Sequence, residues 1–398
     1  MTSNVKVLAR DTLEIKSKQQ RFGLPSKLVG LVLAIKKYFP EAINSLSKVI
    51  GNRIRLLERA EMLADATSFQ RTAIIMSAVK LGVFDYLHKH PGVSANSVAR
   101  DLNLNLISTE RLLRVLESLG YLNSSQSSKT NHDQGVGYVN TKITKNYLVK
   151  ESPSYLGDYY NLVSQTWSSW LSLNLTIQTG SSNQQMDLFN GNDETLYEYY
   201  AFANEYLKEP SRELFTKIPL EQVKRIITGE VGITFIGKLL ERKPDVEFVL
   251  AGLENQINFL ERLLSKYPLP KSPEEIIISP EGNALSDQWG ANEEYDIVFL
   301  FRKLSYSDYG SQFIKKSFQV LRPKGMVIIL EPTTDSLVPS PSFLPELEIM
   351  DLLIGGVKAP PLYSTDKIVN LLKEVGFMKT EVVSTQKGSF LFVVGWKN

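Results

Sequence analysis

The chain has 398 residues, 43% hydrophobic and 22% charged, an ordinary globular composition long enough for two domains with separate cores. It contains no cysteine and only three histidines (His88, His90 and His132), which excludes disulfides, thiolate metal sites and a cysteine nucleophile and argues against a histidine-rich metal centre. The formal charge of +2 hides an asymmetry: residues 1–60 carry twelve Lys/Arg against four Asp/Glu, a net of +8, which leaves −6 for the remainder. No signal-peptide succession opens the chain and no eighteen apolar residues run together, so a cytoplasmic protein is expected.

Residues 1–54 read as a basic N-terminal extension. Within it, Pro25-Ser26 opens an apolar helical stretch (Leu28, Val29, Leu31, Val32, Leu33, Ile35) that closes on Lys36-Lys37-Tyr38-Phe39-Pro40. It is too short to span a bilayer. Two readings stay open: a helix packed on its own domain or dimer mate, and a weak contact of 26–39 with an anionic membrane surface.

Residues 55–150 are strongly helical at first. Phe69, Ala73, Ile74, Met76, Ala78 and Leu81 are expected on one apolar face ended by Gly82. Ser94 is the expected N-cap of a short helix to Leu102, a turn follows at Asn103 to Asn105, and a second helical stretch runs through Ser108 to Leu122. A polar loop (Asn123 to Gly137) and a strand-like Gly137-Tyr138-Val139-Asn140-Thr141 complete a helix-turn-helix with a wing. Arg111 and Arg114 are offset by Glu110 and Glu117, whereas a DNA reader concentrates basic residues on one face. The expectation is therefore a dimerisation domain without nucleic-acid binding.

Residues 151–218 read as a helical linker dense in aromatics, among them Tyr155, Tyr159, Trp167, Tyr200, Phe202, Tyr206 and Phe215. Aromatics at helical spacing build core, and between two domains they also suit the wall of a pocket for a flat or greasy small molecule. Thr179 to Gln185 reads as a polar loop between helices.

Residues 219–398 alternate strands and helices. The unit 223–254 runs from an apolar burst (Ile226, Ile227) through a turn holding Gly229, Glu230 and Gly232 into a helix (Ile233, Ile236, Leu239, Leu240), then past Pro244 to a second strand. Such a first turn brings backbone N–H groups and a helix start up to a nucleotide-like ligand. Helices are expected at 255–267, 307–321 (ended by Arg322-Pro323-Lys324-Gly325), 344–353 and 365–375, and strands at 275–279, 295–301, 326–330, 379–384 and 389–395. This order predicts an α/β fold, a Rossmann-like doubly wound parallel sheet with an antiparallel pair at its edge, preceded by an all-helical winged-helix dimerisation domain.

The succession of Glu110-Arg111-Leu112-Leu113-Arg114-Val115-Leu116, Gly120-Tyr121-Leu122, Tyr295-Asp296-Ile297-Val298, Leu321-Arg322-Pro323-Lys324-Gly325-Met326 to Glu331, Gly355-Gly356 and Gly376-Phe377 resembles one family. It is the class I S-adenosylmethionine-dependent O-methyltransferases of the caffeate, hydroxyneurosporene and polyketide-tailoring type, over residues 55–398. The resemblance implies a homodimer with S-adenosylmethionine and no metal. The cofactor is implied over Thr228, Gly229, Glu230 and Gly232, with its ribose near Gly252 and Glu254, its adenine near Gly282 and Asn283, and Arg302 beside it. Methyl transfer is implied to a hydroxyl of an apolar aromatic or isoprenoid substrate, with Ser305 and Glu331 as the catalytic pair.

The chain departs from the family at functional positions. Ile226 stands where the first strand ends in an acid, Gly252 where an acid holds the ribose diol, Asn283 where an Asp meets the adenine amine, and Ser305 where the general-base His falls. Glu331 keeps the carboxylate that orients the base. Loss of the His removes a proton acceptor of typical value about 10²–10⁴ in rate. A non-methylating family member, with other chemistry in the pocket or a binding role, is the alternative.

Overall fold

The structure is a computed structural model that describes residues 40–126, 136–181, 193–229, 232–253, 257–279, 289–304, 310–337, 343–355 and 361–398. The apolar stretch 26–39 lies outside the described residues. Two compact units divide between Thr72 and Ala73. Helix α1 (Pro40–Lys80) opens on a proline, whose missing N–H is harmless in a first turn, and supplies all of the described first unit.

In the second unit the last turns of α1 bury Ile75, Ala78 and Val79. Phe69 and Leu81, expected on that face, are exposed. At 100° per residue both fall off the stripe that Ile75, Ala78 and Val79 define. Helix α2 (Val83–Lys89) follows Gly82, whose φ of 71° needs a residue without Cβ. Strand β1 (Val93–Ser94) leads into α3 (Ala95–Asp101), with the N–H of Ser97 donating to the expected cap Ser94 Oγ at 3.5 Å. Asn105 caps α4 (Leu106–Ser118) through Ser108 N at 3.1 Å.

The stretch read as a polar loop begins instead as strand β2 (Leu122–Gln126), paired antiparallel with β3 (Val136–Asn140) in the order β1-β3-β2. Cross-strand pairing overrides the weak strand preference of Asn123 to Gln126. The dimerisation segment is thus not all-helical: three short strands and the helices share a core of Val83, Phe84, Leu87, Val98, Leu113, Leu116 and Tyr138. Helices α5 (Lys142–Tyr147), α6 (Gly157–Trp170), α7 (Leu173–Thr179) and α8 (Asp193–Leu214) continue the chain, α7 ending on a left-handed Gly180. Of the expected loop 179–185, residues 182–185 lie outside the described residues.

The main sheet comprises β4 (Arg225–Gly229), β5 (Glu247–Leu253), β6 (Glu275–Ser279), β7 (Tyr295–Phe301), β8 (Leu321–Leu330), β9 (Lys379–Thr385) and β10 (Phe390–Trp396). Their order is β6-β5-β4-β7-β8-β10-β9; β4 to β8 run parallel, and β10 pairs antiparallel with both β8 and β9. Helices α9 (Ile233–Leu240), α10 (Ile257–Lys266), α11 (Gly310–Val320), α12 (Phe343–Gly355) and α13 (Thr365–Val375) connect them. Arg322 to Gly325, read as a helix stop, belong to β8, where Arg322 reaches Asp296 of β7 at 3.3 Å.

Two apolar clusters, one on each face, bury the sheet. On one face the rings of Phe235 and Phe299 stack at 3.8 Å and 1°, with Phe215 edge-on to Phe235 at 4.7 Å. Each such side chain contributes about 1.5–3 kcal/mol by leaving water. Among the described residues no helix is long and apolar enough to cross a membrane.

Candidate functional site

The chain builds the sheet outward from β4, first to β5 and β6 on one side and then, by a return, to β7 and β8 on the other. The direction of winding reverses between β4 and β7, and in doubly wound sheets a crevice for ligands opens outside the strand ends at that point. Thr228 and Gly229 end β4 there, and Thr228 is buried. A Cβ on Gly232 would stand 2.1 Å from Thr228 Oγ1, so glycine alone lets the turn close onto the strand. A Cβ on Gly229 would meet only ordinary contacts, Ala251 O at 3.5 Å and Lys303 Nζ at 3.9 Å. The backbone at Gly229 therefore faces a narrow space rimmed by β5 and by Lys303. Gly252, half-buried, is the next residue of β5.

The start of α9 is held by its own chain. Thr234 N donates to Asn204 Oδ1 at 2.9 Å, and Asn204, fully buried on α8, donates from Nδ2 to Tyr200 O at 2.9 Å.

Beyond β7 the chain forms a clip. Arg302 adopts a left-handed φ of 50° while its N–H donates to Leu330 O at 3.1 Å. Its guanidinium turns to Asp351 on α12, Nη2 to Oδ1 2.6 Å, and both residues are buried. Leu304 N donates to Glu331 Oε1 at 2.7 Å, and Glu331, at the end of β8, is only 2% exposed. Lys303 lies between these anchors and crosses toward β4.

The linker aromatics divide between two roles. Tyr200 and Phe215 are core residues, while Tyr159, Phe202, Tyr206 and Phe390 form a row with ring centroids 4.7, 5.5 and 4.6 Å apart. Tyr159 and Tyr206 remain about two-fifths exposed, at 41% and 40%. Burial raises the phenol of Tyr206 above the usual tyrosine range, against the opposing pull of the Arg302 guanidinium. Burial, then the Glu346 carboxylate, raises that of Tyr159.

Of the residues implied by the resemblance, the structure gathers Thr228, Gly229 and Gly232 at the end of β4, Gly252 on β5, and Arg302 and Glu331 beside one another after β7 and β8. Glu230, Glu254, Gly282, Asn283 and Ser305 lie outside the described residues. Ile226 sits in the core at 0% exposure, packed in the apolar cluster on one face of the sheet. Two further residues carry the geometry. Asn204 was detectable as a lone amide among Ala201, Ala203 and Leu207 on an apolar helix stripe. Lys303 was not, because its direction depends on the left-handed residue before it.

Residues 64–150 match the O-methyltransferase dimerisation domain family. No protein of curated function matches the chain by sequence. Among solved structures, human N-acetylserotonin methyltransferase, in complex with SAM, superposes with a TM-score of 0.70 at 16% identity over 86% of this chain and 98% of that one. PigF with SAH gives 0.69 at 17% identity over 85% and 99%, and the mitomycin 7-O-methyltransferase MmcR 0.67 at 15% over 87% and 100%. At these identities the likeness is one of fold, and it extends over nearly the whole length of each neighbour. Residues 64–150 thus match an O-methyltransferase dimerisation domain, and the chain as a whole shares the fold of these methyltransferases, with its seven-stranded sheet reversing its winding between β4 and β7.

Proposed function

We propose that the chain is an S-adenosylmethionine-dependent O-methyltransferase-like enzyme, a cytoplasmic homodimer acting on a hydroxyl of an apolar aromatic or isoprenoid small molecule. The observation that carries this reading is the buried carboxylate of Glu331, held by Leu304 N at 2.7 Å at the carboxyl end of β8, two strands along the sheet from β4 and its glycines. The space at Gly229, open to a Cβ yet rimmed by Ala251 O and Lys303, fits the edge of a nucleoside-type cofactor. When bound, that cofactor supplies an electrophilic methyl group on a sulfonium. The protein's part is to exclude water with the row Tyr159, Phe202, Tyr206 and Phe390, to orient the acceptor hydroxyl, and to take its proton at Glu331 directly or through Ser305. The match of residues 64–150 to a dimerisation domain supports the homodimer. Calorimetric titration with S-adenosylmethionine and S-adenosylhomocysteine tests the reading; it fails if neither binds.

A second reading, a family member that binds its ligands without transferring methyl, is favoured by Gly252, which offers the ribose diol no side-chain acceptor where a bidentate carboxylate is worth about 1–3 kcal/mol. The paired variant Gly252→Asp and Ser305→His separates the two: methyl transfer gained only by the variant supports the second. A weak contact of 26–39 with anionic membranes rests on the sequence alone. It is tested by deleting residues 1–50 and following co-sedimentation with anionic liposomes.

A further inference from the structure

We propose that Tyr363 is a positioning residue of the site: it donates its phenolic O–H to the Glu331 carboxylate and so keeps that carboxylate ionised, as a group that is to take a proton must be. The inference rests on the reading of Glu331 as the proton acceptor. Three observations carry it.

The first is backbone register. Just beyond β8, Thr333 pairs in parallel with Tyr363, and Thr334 N donates to Tyr363 O at 3.0 Å, which sets Tyr363 opposite the second residue after Glu331. The second is the face of the sheet. Along β8, Val327 and Ile329 lie in one apolar cluster and Ile328 and Leu330 in the other, so alternation turns Glu331 towards the cluster of Val327 and Ile329. That cluster also holds Leu304, whose N–H donates to Glu331 at 2.7 Å, and Tyr363 packs against it. The third is the field at the phenol. Burial, and then the Glu331 carboxylate, raises the Tyr363 phenol above the usual tyrosine range, so it carries its proton at neutral pH and acts as a donor.

Taking a carboxylate out of water favours its neutral form, and Glu331 is 2% exposed. Each N–H or O–H that it accepts restores the anion, and a carboxylate has about four acceptor sites to offer. Around the pair, Arg302 meets Asp351 at 2.6 Å, Lys303 crosses towards Gly229, Asp335 accepts Thr365 N at 3.1 Å and Glu348 accepts Leu362 N at 3.0 Å. The Lys367 ammonium stands over the Tyr363 ring at 4.2 Å from its centroid.

Natural protein, Y363F and E331Q are titrated by infrared difference spectroscopy, the Glu331 carboxyl band being the one that E331Q lacks, and by phenolate absorbance, the Tyr363 signal being the one that Y363F lacks. Three results are expected: Glu331 is ionised at neutral pH in natural protein, its midpoint rises by at least about one pH unit in Y363F, and Tyr363 ionises at lower pH in E331Q than in natural protein. Calorimetry of natural protein with S-adenosylhomocysteine runs alongside. A Glu331 midpoint unmoved in Y363F, a Tyr363 midpoint unmoved in E331Q, or a neutral Glu331 at neutral pH in natural protein overturns the role of Tyr363, and binding of S-adenosylhomocysteine then leaves the S-adenosyl site standing. Absence of that binding overturns the reading of the site, and with it the purpose assigned to Tyr363, whatever the titrations give.

Discussion

The side-chain carbonyl of Asn204 accepts the backbone N–H of Thr234 at 2.9 Å, so the helix that starts at the glycine turn is capped by a residue of α8, the same helix that carries Phe202 and Tyr206 of the aromatic row. One buried amide thereby couples the two walls of the candidate site. Asn204→Ala leaves a buried N–H unsatisfied, and a loss of about 1–3 kcal/mol in unfolding free energy is expected from denaturant titration. Ligand affinity at the crevice should fall as well; unchanged stability and affinity would show that the cap is dispensable.

Glu331 is held by a backbone N–H, which the amide oxygen of a glutamine can also accept. Glu331→Gln should therefore fold normally and bind S-adenosylhomocysteine as before, while kcat for any phenolic acceptor that the natural protein methylates drops at least about tenfold. An unchanged kcat removes Glu331 from the chemistry.

The Arg302–Asp351 pair is buried on both sides at 8% and 3% side-chain exposure. Removing one charge strands the other, so Arg302→Met should destabilise by about 3–5 kcal/mol, and the double change Arg302→Met with Asp351→Leu should recover most of that loss. Equilibrium unfolding of the three variants checks this; a double variant no more stable than the single one shows that the pair's geometry, and not the stranded charge, matters.

Burial, followed by the neighbouring Tyr121 phenol, pushes the Tyr160 phenol up to about 12. A phenol whose folded value is raised stabilises the fold fully below the ordinary tyrosine pKa of about 10 and loses that contribution as pH rises through the folded value. Stability is expected to decline between about pH 10 and 12, and Tyr160→Phe should flatten that decline. A Tyr160 that ionises at the ordinary value, read by phenolate absorbance against the Phe variant, contradicts it.

The exposed apolar side chains of the segment that matches the dimerisation family, Ile107 at 60% and Ile143 at 61% among them, accord with association. Sedimentation at micromolar concentration should give a dimer, twice the 44.9 kDa chain mass. A monomer counts against the assembly.

Much of the architecture was legible from one dimension. Strands 275–279 and 295–301 and helix 365–375 fall where apolar periodicity put them, because fully buried strands and amphipathic helices write their burial into the local pattern. The cap at Ser94 followed from side-chain chemistry alone, since an N-cap is a local contact, whereas Asn105, read as the end of a turn, caps the next helix. One stretch misled for the same reason that these succeeded. Asn123 to Gln126 carry turn-like residues, and pairing with β3 made them extended; Arg322 to Gly325 do end the helix before them and stand in an irregularity of β8 between the pairs Tyr295–Leu321 and Ile297–Met326, with Lys324 at a left-handed φ of 66°. The glycine turn and Glu331 could be picked out as residues, whereas their neighbourhood could not. Only the folded sheet, winding outward in both directions from β4, brings Lys303 over Gly229, turns Arg302 to Asp351 and sets Asn204 against Thr234. Local composition and periodicity determined the elements and their order, because those depend on residues a few positions apart; the direction of each site side chain was decided by tertiary structure, because it depends on a left-handed backbone residue and on partners far away in sequence, 49 positions for Arg302 and Asp351.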